Sequence, residues 1–226
     1  MTIIAAMHGD EVYGIELYDH FTKKYPSLSS SVQLIIGNKL AYEKNVRFID
    51  ADMNRQYGSR YRTHEQCEVT RVDSQIKKFN PKYIIDVHTT RRNSGIFFIS
   101  DSPNKKRQRI YDMLDIDICI MKDRVIKTSL IGNYSNAVSL EYSIRSITLR
   151  KTQQFIDALA GLVQGSKQEI DNNRIYYAKK LISKDEWQNH KELKNYDKTP
   201  EGIALMVPAD TSEMDAEYFG FWCSRR

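Results

Sequence analysis

The stretch Ile3-Ile4-Ala5-Ala6-Met7-His8-Gly9-Asp10-Glu11 decides how this chain is read. An apolar run stops in glycine and charged side chains, the pattern of a buried strand running out into a loop. His8 and Glu11 are three apart, so at the start of a following helix both can point at one spot. A second apolar run, Tyr83-Ile84-Ile85-Asp86-Val87, ends the same way, in His88-Thr89-Thr90. Two such strands in one parallel sheet would deliver two histidines and a glutamate to their carboxyl ends, where open α/β sheets keep their sites. Two His and one Glu are the ligand set of a catalytic zinc with one position left open for water.

Outward from these runs, strands and helices alternate. Glu11 to Tyr25 reads as a helix, with Val12, Ile15 and Tyr18 at helical spacing and Pro26 closing it. Val32 to Ile36 is a second buried strand, and the segment from Gly37 through Asn54-Arg55 has no period and reads as a long loop. Long loops in compact domains are commonly functional, and Arg47, Asp52, Asn54 and Arg55 suit that use. Glu65 to Phe79 is an amphipathic helix, Gly95 to Ile99 a strand, Pro103 to about Leu114 a helix opened by its proline, and Ile116 to Met121 a strand. Ala137 to Glu141 is a further strand and Leu149 to Val163 a strongly amphipathic helix. The alternation predicts an α/β domain with a mixed, mostly parallel sheet flanked by helices. From about residue 168 the texture becomes β-rich, with extended stretches over Arg174–Ile182, Gly202–Val207 and Tyr218–Cys223. The expected division is a catalytic domain over 1–167 and a small β-rich C-terminal domain over 168–226.

Composition narrows the setting. A hydrophobic content of 41% with 28% charged residues is that of an ordinary globular chain, and no apolar run approaches the roughly 20 residues of a membrane helix. The N-terminus lacks a secretory pattern, and Cys67, Cys119 and Cys223 form no disulfide framework, so a reducing cytoplasm is expected. A net charge of +5 without a basic stripe argues against nucleic acid as a partner. The short cluster Lys105-Lys106-Arg107 reads as a solvated helix face.

The strand ends carry further chemistry. Asp86, two residues before His88, can accept the second ring N–H of a ligand histidine and fix its tautomer, or simply cap the strand. Glu141 ends an apolar strand at the same sheet edge, placed to take and return the proton of an attacking water, an ordinary salt bridge being the alternative. In the loop, Asn54-Arg55 sets a planar cationic fork beside an amide, suited to gripping a carboxylate. Arg47 can face an oxygen that gains charge as a carbonyl becomes tetrahedral. His20, His64 and His190 lie on polar stretches and take no part in this reading.

Taken in order, His8-Gly9-Asp10-Glu11, Asp52-Met53-Asn54-Arg55, Asp86-Val87-His88-Thr89 and Ser139-Leu140-Glu141 resemble the succinylglutamate desuccinylase/aspartoacylase family of zinc carboxypeptidase-like hydrolases. The run from Gly37-Asn38-Lys39-Leu40 to Asn54-Arg55 is similar almost residue for residue, and the resemblance extends over about residues 3 to 165. It implies one zinc per chain on His8, Glu11 and His88, with Glu141 as general base. It further implies Arg47 at the scissile carbonyl, Asn54 and Arg55 on a substrate carboxylate, and hydrolysis of the amide of a small N-acyl amino acid. Three departures bear on the substrate. Only seven residues precede His8, so any edge strand of the family ahead of this first apolar run would be missing. The further substrate arginine that aspartoacylases carry about ten residues before the base is replaced by Ile131-Gly132-Asn133-Tyr134. Arg92 is the candidate replacement for that cation, and Tyr218 is the candidate for the tyrosine that the family's C-terminal domain lends. Two alternatives stay open: a metallocarboxypeptidase trimming peptides, and a non-catalytic metal- or ligand-binding protein, which the presence of Glu141 speaks against.

Overall fold

A computed structural model describes residues 1–59, 62–90, 95–114, 116–122, 124–166, 174–189, 193–205 and 220–225. The N-terminal apolar run forms strand β1 (Thr2–Ala5), buried along its whole length. It lies between β2 (Gln33–Ile36) and β3 (Ile84–Thr90), parallel to both, with Ile4 opposite Ile35 on one side and Asp86 on the other. Strand β6 (Ala137–Ser143) follows, parallel to β3, and its register sets Glu141 opposite His88. Next, β4 (Ile96–Ser100) runs antiparallel to β6 and parallel to β5 (Asp117–Ile120). The sheet continues through β7 (Ile175–Leu181), parallel to β5, and then antiparallel through β10 (Phe221–Arg225), β9 (Gly202–Leu205) and β8 (Lys198–Thr199). Among the described residues this is one mixed sheet in the order β2-β1-β3-β6-β4-β5-β7-β10-β9-β8.

Both faces are covered, which is why the central strands read as unbroken apolar runs and not as alternating ones. Ile3, Ile85 and Val138 share a cluster with Leu17 and Phe21 of α1 (Tyr13–Lys24) and Phe155 and Leu159 of α7 (Leu149–Gln164). Ile4 and Ile84 belong to the opposite cluster, with Val69, Val72 and Ile76 of α3 (His64–Phe79). Thr63 caps α3 by accepting from Gln66 N–H, and Asn80 in the left-handed region ends it. No described helix is long and apolar enough to cross a membrane.

The structure departs from the sequence expectation in several places. The stretch read as a loop contains a short helix, α2 (Lys39–Glu43), and a 3-10 turn over Met53–Arg55. Both are held by side-chain caps, Asn38 on Ala41 N–H and Asp52 on Asn54 N–H, and both are too short to show a period. Asn104, and not Pro103, starts α4 (Lys105–Tyr111), by accepting from the N–H groups of Lys106 and Arg107. Two further one-turn helices, α5 (Arg124–Lys127) and α6 (Leu130–Asn133), precede β6. The expected division between residues 167 and 168 falls outside the described residues. Beyond it, Ile182, Trp187, Leu193, Ala204 and Trp222 form a cluster of their own, whereas Tyr176, Leu205 and Phe221 join the larger core.

The basic cluster on α4 is only partly the solvated face expected of it. Lys105 and Lys106 are exposed, but Arg107 is buried. Its Nε donates to Ala137 O at 2.8 Å, its Nη2 to Ile131 O at 2.7 Å and Tyr134 O at 3.0 Å, and its Nη1 to Ser102 O at 3.0 Å while pairing with Asp101. One guanidinium thus ties α4 to the start of β6 and to the end of α6. Arg107→Met keeps much of the bulk and strips these carbonyls of their donor. It should lower unfolding stability by about 3–5 kcal/mol, the scale for breaking a buried charged pair. Equilibrium denaturation measures this, and a loss below about 1 kcal/mol would show that the arginine is not needed to hold these elements together.

Candidate active site

The site begins where β1 ends. Ala6 has φ of +52°, a region that costs a non-glycine residue about 1 kcal/mol or more, and it throws the chain sharply out of the sheet. A tight turn follows, in which Ala6 N–H donates to Glu11 O and Glu11 N–H to His8 O. This turn delays α1 to Tyr13 and leaves Glu11 in the loop. Gly9 packs against α2 so closely that a Cβ would lie 2.1 Å from the Ala41 carbonyl carbon, so the turn has no room for a side chain there. The result folds His8 and Glu11 back over the end of β3.

His8, Glu11 and His88 converge in a buried cluster. His8 Nδ1 lies 2.8 Å from Glu11 Oε1, and His88 Nδ1 lies 2.9 Å from Glu11 Oε2. Thr89 N–H also donates to Oε2, at 3.1 Å. The outer nitrogens of both rings face carboxylates: His8 Nε2 is 3.1 Å from Asp52 Oδ1, and His88 Nε2 is 2.8 Å from Asp86 Oδ2. One ligand atom from each of His8, Glu11 and His88 lies within 4.8 Å of the others, a spacing at which the three can hold a metal ion. The donor chemistry fits a small divalent cation: two imidazoles and a carboxylate face inward, while carboxylates behind the rings fix their orientation.

The charges are strongly coupled to burial. Burial alone would lower both imidazoles, but Glu11 and Asp52 raise His8, and Asp86 with Glu11 raises His88 well above the ordinary range. Glu11 is likewise held well below the usual carboxylate range, its burial outweighed by the charges and hydrogen bonds of the two histidines. Asp52 is depressed against its own burial by His8, with the cations Arg55 and Arg47 adding to this. Glu141 moves the other way. Burial pushes its carboxyl up, and the nearby histidine charges offset that only in part.

The loop brings the expected cations to the rim. Arg47, half-exposed, places Nη1 3.0 Å from Glu11 Oε1 and Nη2 3.9 Å from Asp52 Oδ2. Asn54 turns its Nδ2 toward His88 Nε2 at 3.5 Å, while its Oδ1 accepts from Leu130 N–H at 3.1 Å and so fastens the loop to α6. Arg55 donates from Nη1 to Asn54 O at 3.0 Å, and its Nε is buried without a hydrogen-bond partner. The place of the missing arginine is occupied by α6, where a Cβ on Gly132 would lie 2.0 Å from Ile126 O. Arg92 and Tyr218 lie outside the described residues.

Two carboxylates in the site's surroundings had no assigned role in the sequence. Asp52, a functional candidate of the loop, faces His8 across 44 positions, a pairing that spacing alone does not reveal. Glu65, fully buried at the start of α3, accepts from Ile49 N–H at 2.7 Å, Asp50 N–H at 3.2 Å, Ala51 N–H at 3.1 Å and Asn38 Nδ2 at 3.0 Å. An acid in the first turn of a helix is commonplace, so nothing marked it out.

Comparison with known proteins agrees with this fold. A probable aspartoacylase of Prochlorococcus marinus is 36% identical over 105 residues, covering 41% of this chain and 35% of that protein. The chain spans about a third of the length of the curated relatives it matches. Among solved structures, the succinylglutamate desuccinylase of Chromobacterium violaceum superposes with a TM-score of 0.71 at 16% identity, over all of this chain and 84% of that one. Murine aminoacylase 3 gives a TM-score of 0.71 at 15% identity, over all of this chain and 95% of that one. At such identities these two similarities speak for the shared fold alone. Residues 1–148 match the succinylglutamate desuccinylase/aspartoacylase catalytic domain, and over that span the chain belongs to this family.

Proposed function

We propose that the protein is a zinc-dependent amidohydrolase that cleaves the amide of a small N-acyl amino acid or similar carboxylate. The observation that carries this reading is the convergence of His8, Glu11 and His88 beside a strand register that sets Glu141 opposite His88. His8 Nδ1, Glu11 and His88 Nδ1 would hold one ion per chain. When bound, zinc polarises a carbonyl oxygen and lowers the pKa of water to about 7. Glu141, its carboxyl raised by burial, is suited to accept the proton of the attacking water and return it to the departing nitrogen as the C–N bond breaks. Arg47, 3.0 Å from Glu11 Oε1, is suited to stabilise the oxygen that gains charge. Arg55, a half-buried guanidinium at the rim, is suited to grip a substrate carboxylate, and Asn54 Nδ2 adds a second polar group beside it.

The metal comes first among the tests. The metal-free protein should take up about one zinc per chain. Uptake should release protons at neutral pH and weaken as the pH falls, because both imidazoles hold their protons above the ordinary range. His8→Ala or His88→Ala should abolish tight uptake; full occupancy after both changes would remove them from the ligand set.

Glu141→Gln should keep metal and fold and slow hydrolysis of N-acetyl, N-succinyl or N-formyl amino acids by about two to four orders of magnitude. An unchanged rate on a true substrate excludes it as the base, and peptide trimming that spares N-acyl amino acids overturns the substrate class.

The two arginines should leave different kinetic traces. Arg55→Lys keeps the charge but loses the fork, so KM should rise with little change in kcat. Arg47→Ala should lower kcat by about a hundredfold, the scale of a lost oxyanion donor. A substrate whose free carboxylate is converted to an amide should be turned over poorly, and equal turnover of acid and amide would remove carboxylate recognition from the site.

A further inference from the structure

Metal ligands and base sit on or beside sheet strands, but the cations sit on a loop whose regular structure is a single 3-10 turn, Met53–Arg55. Something must hold that loop against the conformational entropy of about 1–2 kcal/mol per residue that ordering it costs. Its ends have anchors: Gly9 N–H donates to Arg47 O, and Tyr57 N–H to Thr128 O. Its centre, Ile49-Asp50-Ala51, turns three consecutive N–H groups inward, and all three donate to the Glu65 carboxylate. The same carboxylate receives Asn38 Nδ2, while Asn38 Oδ1 caps α2 and lies 3.2 Å from His64 Nε2. His64 N–H in turn donates to Asp50 Oδ2 at 2.8 Å. The loop between Arg47 and Arg55 is thus knotted to the first turn of α3 and the cap of α2 through one buried side chain.

We infer that Glu65 is a positioning residue that sets where Arg47 and Asn54-Arg55 stand over the metal-binding side chains. The chemistry asks for a carboxylate. Every partner of Glu65 in this knot is a donor, so both oxygens must accept, and a glutamine of the same shape would aim an NH2 group at N–H groups. A shift of about 1 Å in a substrate-holding group is enough to cost up to about a hundredfold in rate, so the loop's placement matters beyond its stability. The substrate arm of the test rests on the function proposed above; the exchange arm does not.

Glu65→Gln should take up zinc like the parent, because His8, Glu11 and His88 are carried by β1, its following turn and β3. By hydrogen exchange, the amides of Asn54, Arg55 and Gln56, which bond to Asp52 and Met53 and not to Glu65, should lose about tenfold or more of their protection. Amides of β1 and β3 should keep theirs. On an N-acetyl amino acid, KM should rise about tenfold or more, while the carboxamide analogue, already poor, should change little. Phe155→Leu, a core change on the far face of the sheet, serves as a destabilised control and should leave the turn protected and KM unaltered. Should Glu65→Gln fail to fold, Glu65→Asp, which keeps the charge and shortens the reach, takes its place with the same readouts. A turn as protected as in the parent, or a KM no higher than in the Phe155→Leu control, overturns the inference. If the parent hydrolyses no N-acyl amino acid, the proposed function fails, and the exchange result alone decides the role of Glu65.

Discussion

One carboxylate, buried between two imidazoles, sets the terms for the rest of the molecule. Glu11 receives His8 and Arg47 on one oxygen and His88 and Thr89 N–H on the other. A charge so far from water is tolerable only when its partners are close and well aimed. That requirement places β1 directly beside β3, forces the strained turn at Ala6, and calls for Asp52 and Asp86 behind the rings to balance the positive charge in front. With carboxylates on both sides of each ring, the cluster favours positive charge at its centre.

The two halves of the site are supported by different physics. His88 and Glu141 lie opposite each other in a ladder of parallel strands, so their separation is fixed by sheet geometry. Arg47, Asn54 and Arg55 depend on caps and on inward-facing amides, with Met53 as the apolar anchor between them. The first half resists distortion because moving it would break the core. The second can be tuned by single polar residues.

The difference also explains what could be read directly from the sequence. His8, Glu11, His88 and Glu141 each sit where an apolar run stops, and a run that stops at a polar group marks a buried strand reaching the sheet edge. The helices at 13–24, 64–79 and 149–164 were visible for the same reason, since apolar spacing reports burial. Arg107 is not legible in this way, because a basic residue on a helix next to two lysines looks solvated and only tertiary contacts reveal the carbonyls it serves. The turns at Lys39–Glu43 and Met53–Arg55 are set by Asn38 and Asp52 acting over two or three residues, on segments with no period to detect. Glu65 was hidden for a like reason: its partners lie 14 to 27 positions away, joined by hydrogen bonds that leave no pattern in composition.

The order of the sheet has a consequence for how the molecule comes into being. The chain makes β3, then β4 and β5, and only afterwards β6, yet β6 lies between β3 and β4. Until it arrives, β2-β1-β3 and β4-β5 are separate ribbons, each with a bare edge of unpaired amides and carbonyls. Strand β6 is a keystone driven into the gap, parallel to one ribbon and antiparallel to the other. It is also the strand that bears Glu141. A nascent chain can gather His8, Glu11 and His88 as soon as β1 and β3 meet, but it gains its carboxylate opposite His88 only when the two ribbons are sealed into one. A half-assembled chain can therefore hold the His8, Glu11 and His88 cluster before β6 sets a carboxylate beside it.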